Sequence, residues 1–243
     1  MSKLFISDLH LDASRPDATA TFIRFLQQDA SGSDALYILG DLFEFWIDDS
    51  DPNPHHRTII ESLAELTSGG TPCYIMHGNR DFMLGPQFAR ETGTTLLFDP
   101  TLIYVGGQSV LLSHGDHLCT DDEGYQRYRR IVRNPTVQRA YNKLPWALKL
   151  WIARKIRGSS SSNYGRKRPE ILDVNPQAVR SELRRYQVST LLHGHTHRPA
   201  IHEIDLDGKP ATRIVLGDWY DQGSVLRWDN AGPRLTALDF KTE

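Results

Sequence analysis

The sequence predicts an α/β fold in which two sheets pack face to face with helices outside and a helical segment is inserted between strands. Three features carry that expectation. Short apolar, β-branched runs stop abruptly at polar clusters: Leu4-Phe5-Ile6 before Ser7-Asp8, Leu36-Tyr37-Ile38-Leu39 before Gly40-Asp41, and Cys73-Tyr74-Ile75-Met76 before His77-Gly78-Asn79. Runs of this kind read as buried strands. Helix-like stretches separate them, and a basic stretch with one apolar face interrupts a later series of strand candidates.

In chain order, residues 18–29 and 55–67 are the helix-like stretches, and the strand, helix, strand spacing suits right-handed parallel crossovers. Residues 102–105 and 110–113 flank Gly106-Gly107 and read as a hairpin. Further strands are expected at 190–192, 201–204, 213–216 and 224–228. Between the two series, Leu144, Leu148, Trp151, Ile152 and Ile156 fall on one face of a helix. Gly158 and the serines at 159–162 follow as a polar loop, then Asn163-Tyr164-Gly165-Arg166-Lys167-Arg168. The expected organisation is a core of residues 1–119 and 171–243 carrying residues 120–170 as a helical cap. His55 and His56 are expected at the surface, Trp46 is expected to pack, and Asp121 or Asp122 to cap a helix starting near Glu123.

A chain of 243 residues with 39% hydrophobic and 24% charged residues suits one large folded domain with an insertion, and excludes wholesale disorder or a fibrous repeat. No run approaches the roughly 18 apolar residues of a membrane-crossing helix, and the N-terminus lacks a basic segment followed by a long apolar one, so neither spanning nor export is expected. Two cysteines, Cys73 and Cys119, are too few for a disulfide framework and fit a reducing compartment. The net charge of -2 conceals an asymmetry: residues 127–168 hold thirteen Lys and Arg and no Asp or Glu, leaving 15 basic against 30 acidic residues elsewhere. A basic segment on an acidic body suits phosphates, nucleic acid or acidic lipid head groups.

Five clusters sit where strand candidates end: Asp8-Leu9-His10, Gly40-Asp41, Gly78-Asn79-Arg80-Asp81, His114-Gly115-Asp116 and Gly194-His195-Thr196-His197. Side chains from adjacent strand ends converge at one sheet edge, where ligands bind in such folds. Mixed carboxylate and imidazole donors suit manganese, iron or zinc, whereas calcium and magnesium prefer oxygen alone. A carboxylate such as Asp41 can bridge two cations, and a metal pair about 3.5–4 Å apart activates water while neutralising charge on a phosphoryl group. Each cluster alone is ordinary turn chemistry. Their recurrence in order at strand ends, with the neutral amide of Asn79 among them, points to a metal-dependent hydrolase of a phosphate ester or anhydride.

The ordered set Asp-x-His, Gly-Asp, Gly-Asn-Arg-Asp, His-Gly and Gly-His-x-His resembles the calcineurin-like metallophosphoesterases, with Arg80 standing where most relatives carry histidine. That departure, together with Phe5-Ile6-Ser7-Asp8-Leu9-His10-Leu11, Gly40-Asp41-Leu42-Phe43-Glu44, Leu118-Cys119-Thr120-Asp121-Asp122 and His193-Gly194-His195-Thr196-His197-Arg198-Pro199, resembles the branch that hydrolyses UDP-2,3-diacylglucosamine in lipid A biosynthesis. The likeness runs from residue 1 to about 228. It implies the two-sheet metallophosphoesterase sandwich and two manganese ions, one held by Asp8, His10, Asp41 and His197, the other by Asp41, Asn79, His114 and His195. It implies substrate contacts at Asn79, Arg80, Asp122, Ser160, Tyr164, Lys167 and His195, Asn163 competing with Tyr164, and a catalytic part for Asn79, Arg80 and His195. The implied substrate is a UDP-activated diacylated glucosamine lipid, cleaved to 2,3-diacylglucosamine 1-phosphate and UMP by water attack on the α-phosphate. The implied location is peripheral, on the cytoplasmic face of the inner membrane, with no nucleic acid and no obligatory protein partner.

The residues' own chemistry is consistent with an anhydride. Cleaving a simple ester expels an alkoxide that wants a proton from a general acid such as histidine. Arg80 stays protonated to above about pH 12 and cannot be that acid, but its guanidinium can grip a phosphate in a bidentate fork. A departing phosphate already tolerates negative charge. The apolar face of the cap, with Trp146 and Trp151, would receive acyl chains or dip into the membrane interface while its Lys and Arg meet phosphates. Two rivals remain at this stage: a metallophosphodiesterase of nucleotides or nucleic acid, which a basic cap also suits, and a binding module that kept the fold and lost the chemistry, against which the seven ligand positions stand.

Overall fold

The structure is a computed structural model that describes residues 2–164 and 173–240, with the side chains of 157–164 outside the description. Its first sheet has the order β11-β10-β1-β2-β3-β4. Strands β1 (Lys3–Ile6), β2 (Ala35–Leu39), β3 (Cys73–Met76) and β4 (Thr95–Leu97) run parallel. Helices α1 (Pro16–Phe25), α2 (Pro54–Ser68) and α3 (Pro86–Thr92) cross between successive members, as parallel pairing requires. Strands β10 (Gly223–Asp229) and β11 (Gly232–Leu238) extend this sheet antiparallel beside β1. The second sheet has the order β5-β6-β7-β9-β8, built from β5 (Thr101–Val105), β6 (Gln108–Ser113), β7 (Thr190–His193), β8 (Ala200–Leu206) and β9 (Lys209–Val215). Its β5-β6 hairpin turns at Gly106 and Gly107, both with positive φ, as a tight two-residue turn demands.

The period of two along each strand divides the core into layers. Leu4, Ile6, Leu36, Ile38 and Ile75 pack against Phe22, Phe25, Ile59 and Leu63 of α1 and α2. The alternate residues Phe5, Tyr37, Leu39 and Met76 meet Val110, Leu112, Leu192 and Ile214 between the sheets. On the far side of the second sheet, Leu111 and Leu191 pack with Val179 and Leu183 of α7 (Pro176–Tyr186). The architecture is therefore helices, sheet, sheet, helix. Strands covered on both faces explain why the first three runs are continuously apolar rather than alternating.

Elements absent from the sequence reading are short or at the periphery. β4 has three residues, and β11 is an edge strand that carries Pro233, a residue sheets tolerate only at an edge. Helix α7 opens on Asn175-Pro176, with the Asn175 side chain accepting from the Gln177 amide at 2.8 Å. The same Asn-Pro start opens α2 at Asn53-Pro54 and α5 (Pro135–Asn142) at Asn134-Pro135, joining a side-chain cap to a residue preset for the first helical position.

Three helices occupy most of residues 120–170: α4 (Glu123–Val132), α5 and α6 (Trp146–Tyr164). Asp122 caps α4, accepting from the Tyr125 amide at 3.0 Å. Part of the expected apolar face of α6 is open rather than packed on the body. Leu144 precedes α6, Leu148 and Trp151 are 41% and 58% exposed, and among the described side chains of α6 the buried ones are Lys149 and Ala153. Lys149 Nζ reaches Asp48 Oδ2 at 2.5 Å, so a buried ion pair draws that side of the helix onto the body. His56 also differs from expectation: it is buried, packed 4.7 Å from the Phe43 ring and 5.0 Å from the Trp46 ring. Its Nδ1 lies 3.4 Å from Asp51 Oδ2. A polar partner and an aromatic pocket together make that burial favourable. Cys73 and Cys119 are both buried and lie in different core clusters. Among the described residues, no helix is long and apolar enough to cross a membrane.

Candidate active site

The turns after β1, β2, β3, β6 and β7 deliver the five clusters to one end of the two sheets. Seven described non-glycine residues have positive φ, and five of them are Asp8, His10, Asp41, His195 and His197. L-residues avoid this region, and such strain collects where a site dictates backbone direction. The turns are held by one another. The Asp8 amide donates to Gly40 O at 3.0 Å, the His10 amide to Asp41 O at 2.9 Å, and the His195 amide to Asp8 Oδ2 at 2.8 Å. Two glycines permit this closeness: a Cβ on Gly78 would stand 2.0 Å from Asp41 Oδ1, and one on Gly194 2.3 Å from Asp8 Oδ2.

Asp8, His10, Asp41 and His114 are buried, Asn79, His195 and His197 half-buried, and each of the seven expected ligands lies beside at least one other. On one side, His197 Nε2 lies 3.4 Å from Asp8 Oδ1 and 3.4 Å from His10 Nε2. Asp41 Oδ2 stands in the middle, 3.8 Å from His10 Nε2 and 3.9 Å from His114 Nε2. On the other side, His114 Nε2 is 3.1 Å from Asn79 Oδ1, and the His114 and His195 rings are 5.0 Å apart. The outer nitrogens have partners of their own. His114 Nδ1 is 2.9 Å from Leu39 O, His197 Nδ1 3.2 Å from Asp218 Oδ2, and His10 Nδ1 within ion-pair reach of Glu44 Oε2 at 3.2 Å. Engaging Nδ1 turns Nε2 inward as a lone-pair donor, the arrangement that orients imidazole towards a metal.

The donor set fits divalent cations. Asp8 Oδ1 is buried and makes no close hydrogen bond, and His197 Nε2 stands 3.4 Å from it. Protonation follows the same demand for positive charge. Burial pushes Asp41 above the usual carboxylate range despite His114 and His10. Burial works against His197, but bonds to Asp218 and Asp8 raise it to about 10. His114 also rises, burial being overcome by Asp41, Asp8 and Asp116, whereas burial and His114 push His195 down to about 3. Burial would raise Asp8 too, but its bond to His197 and the charges of His114, His197 and His10 hold it well below the usual range.

Arg80 lies at the rim. Its amide donates to Asp41 Oδ1 at 2.8 Å and its Nη1 is 3.8 Å from Glu44 Oε1, while its Nε is buried without a hydrogen-bond partner. Asp81, the last residue of the same cluster, does not face the site. Its carboxylate accepts from the Gly78 amide and the Leu42 amide, both at 2.8 Å, and so ties the Asn79 turn to the Asp41 turn. Asp122 is three residues before Tyr125, whose ring stacks 6.1 Å from that of His195. The side chains of Ser160, Asn163 and Tyr164, and all of Lys167, lie outside the described residues. The sequence reading missed Glu44 and Asp218 as partners of the histidines. Gly217-Asp218 repeats, after β9, the Gly-Asp signal that marked Asp41.

The family model for calcineurin-like phosphoesterases matches residues 1–199. A protein of Aeromonas hydrophila called UDP-2,3-diacylglucosamine hydrolase is 55% identical over 226 residues, covering 93% of this chain and 94% of that one. One of the same name from Pectobacterium carotovorum is 51% identical over 240 residues, covering 99% and 100%. Among solved structures, a novel archaeal phosphodiesterase shares the fold with a TM-score of 0.50 at 11% identity, covering 98% of this chain and 100% of its own. The chain belongs to the calcineurin-like phosphoesterase family.

Proposed function

We propose that this protein hydrolyses the pyrophosphate bond of UDP-2,3-diacylglucosamine, giving 2,3-diacylglucosamine 1-phosphate and UMP, with two manganese ions held between Asp8, His10, Asp41 and His197 on one side and Asp41, Asn79, His114 and His195 on the other. The observation that carries this reading is near-full-length identity of about half to proteins of that name, in a chain that brings His10 and His114 within 4 Å of Asp41 Oδ2 and groups Asp8 with His10 and His197. Bound there, the cations supply a water that is nucleophilic at neutral pH and positive charge against phosphoryl oxygens. Imidazole and carboxylate donors together favour manganese over magnesium or calcium.

The chain's own residues do the rest. Asn79 and His195 are positioned to orient the phosphate beside uridine, and Arg80 to neutralise the sugar phosphate that departs, which needs no general acid. Glu44, which faces Arg80, keeps that guanidinium directed at the site. Residues 120–170 act as the cap. Asp122, Ser160, Tyr164 and Lys167 contact substrate there, and the exposed Leu148 and Trp151 offer an apolar surface to acyl chains. Lys155, whose Nζ lies 5.1 Å over the Trp151 ring, adds charge beside that surface. Apolar and basic groups side by side suit peripheral attachment to the cytoplasmic face of an anionic inner membrane.

The test is incubation of the purified protein with UDP-2,3-diacylglucosamine and manganese. Release of UMP supports the reading. Cleavage of a chromogenic diester with none of the UDP-lipid would favour a phosphodiesterase of nucleotides or nucleic acid instead.

A further inference from the structure

Helix α4 buries no residue of its own, so it is held against the body by polar contacts. Tyr125, Arg129 and Arg133 follow one another at intervals of four, on one helical ridge that continues into the C-cap. All three turn to a single oxygen. Asp116 Oδ2 accepts from Tyr125 Oη at 2.6 Å and from Arg129 Nε at 2.8 Å, and Arg133 Nη2 lies 3.7 Å from it. Asp116 is fully buried and its Oδ1 has no hydrogen-bond partner. Asp99, Asp116 and His117 have donor atoms close enough to hold a cation. Arg129 already fills that part, bonding Asp99 as well as Asp116.

The two ends of the same ridge touch the candidate active site. The Tyr125 ring stacks on His195. Arg133 Nη2 donates to Gly78 O at 2.8 Å, one residue before Asn79. We propose that Asp116 is a positioning residue: through Tyr125, Arg129 and Arg133 it fixes α4, and Asp122 at its start, over the Asn79 and His195 side of the site. Two of the thirteen basic residues in the cap are thereby spent on anchoring rather than on substrate. The proposal rests on the reading that the cap contacts the lipid substrate. Asp116 is the acidic partner that Arg129 and Arg133 share among the described ion pairs, so removing its charge weakens the hold of both at once and leaves Arg129 with Asp99 and Arg133 with Gly78 O.

Asp116→Asn in the full-length manganese-loaded protein is the test, because asparagine keeps the volume and can still accept from Tyr125. The expected result is a KM for UDP-2,3-diacylglucosamine raised about ten-fold or more, with kcat within about three-fold, since a lost charge-assisted contact is of that size. Manganese affinity by calorimetry should be unchanged. Amide hydrogen exchange should speed up in α4 and stay unchanged in α2. Tyr125→Phe removes one bond alone and should give a smaller change in the same direction, which keeps the test open if Asp116→Asn does not fold. Unchanged exchange in α4, or manganese affinity falling in step with activity, overturns the proposal. If the wild-type protein fails to cleave the UDP-lipid, the substrate reading falls, while the exchange measurement still decides whether Asp116 holds α4.

Discussion

His10 and His197 point their Nε2 atoms at each other across 3.4 Å, with Asp8 Oδ1 equally close to His197. With His197 raised to about 10, a proton on that ring supplies positive charge between His10 and Asp8, and a bound divalent cation would supply more. Chelation should therefore lower thermal stability as well as abolish hydrolysis. A cation at about 100 times its dissociation constant contributes about 2.7 kcal/mol per site. For a chain of this size that corresponds to a fall of about 5–10 °C in Tm for each site emptied. Differential scanning with and without chelator checks it, and identical melting curves would contradict it.

Asp41 stands between the two halves of the cluster, and His114 donates from the second half. Asp41→Asn keeps an oxygen for the Arg80 amide while losing the charge that the two proposed cations would share. It and His114→Ala should each lower kcat about a hundred-fold or more, with circular dichroism showing an intact fold. Near-wild-type turnover in either variant would show that its proposed ligand role is wrong.

His193 contributes a pH dependence of its own. Arg213 Nε donates to its Nε2 at 2.9 Å and its Nδ1 lies 2.7 Å from Gly194 O, so the neutral ring satisfies both neighbours. Burial, then the Arg213 charge, push it from 6.5 down to about 3. Between those values the unfolded chain binds the extra proton, so stability is lost as pH falls below about 6.5, by about 1.4 kcal/mol per unit. His193→Gln removes that dependence. Urea denaturation of both proteins in chelator should show the wild-type advantage shrinking by about 2 kcal/mol between pH 6.5 and 5, whereas a constant gap would mean that His193 does not titrate on unfolding.

Trp151 is exposed and Ile152 half-buried beside it. Replacing both with glutamate should raise KM for the long-chain substrate at least about ten-fold, since each buried methylene contributes about 0.8 kcal/mol against an apolar surface. A soluble UDP-sugar without acyl chains serves as the control. Equal losses on the two substrates would assign these residues to packing.

The site was legible because its residues come as local pairs at strand ends: Asp8 with His10, Asn79 with Arg80, His195 with His197. Alternating or continuous apolar runs placed the strands that deliver them. What the sequence reading missed lies in partnerships remote along the chain. Asp218 meets His197 twenty-one residues after it, Glu44 meets His10, and Asp116 gathers a ridge of α4. The side of α6 that turns inward has a similar cause. Helical spacing identifies an apolar face but not its neighbour, and the pairing of Lys149 with Asp48, a hundred and one residues away, decided which side turned inward.

The most direct measurement is hydrolysis of UDP-2,3-diacylglucosamine in water labelled with heavy oxygen, with mass analysis of both products. A pyrophosphate offers two phosphorus atoms, and attack at either gives UMP and the sugar 1-phosphate. If the phosphate beside uridine sits against Asn79 and His195 while Arg80 and Lys167 receive the departing sugar phosphate, the label appears in UMP alone. Label in 2,3-diacylglucosamine 1-phosphate would mean that the substrate lies reversed across the site, and would contradict the roles given to Arg80 and the cap.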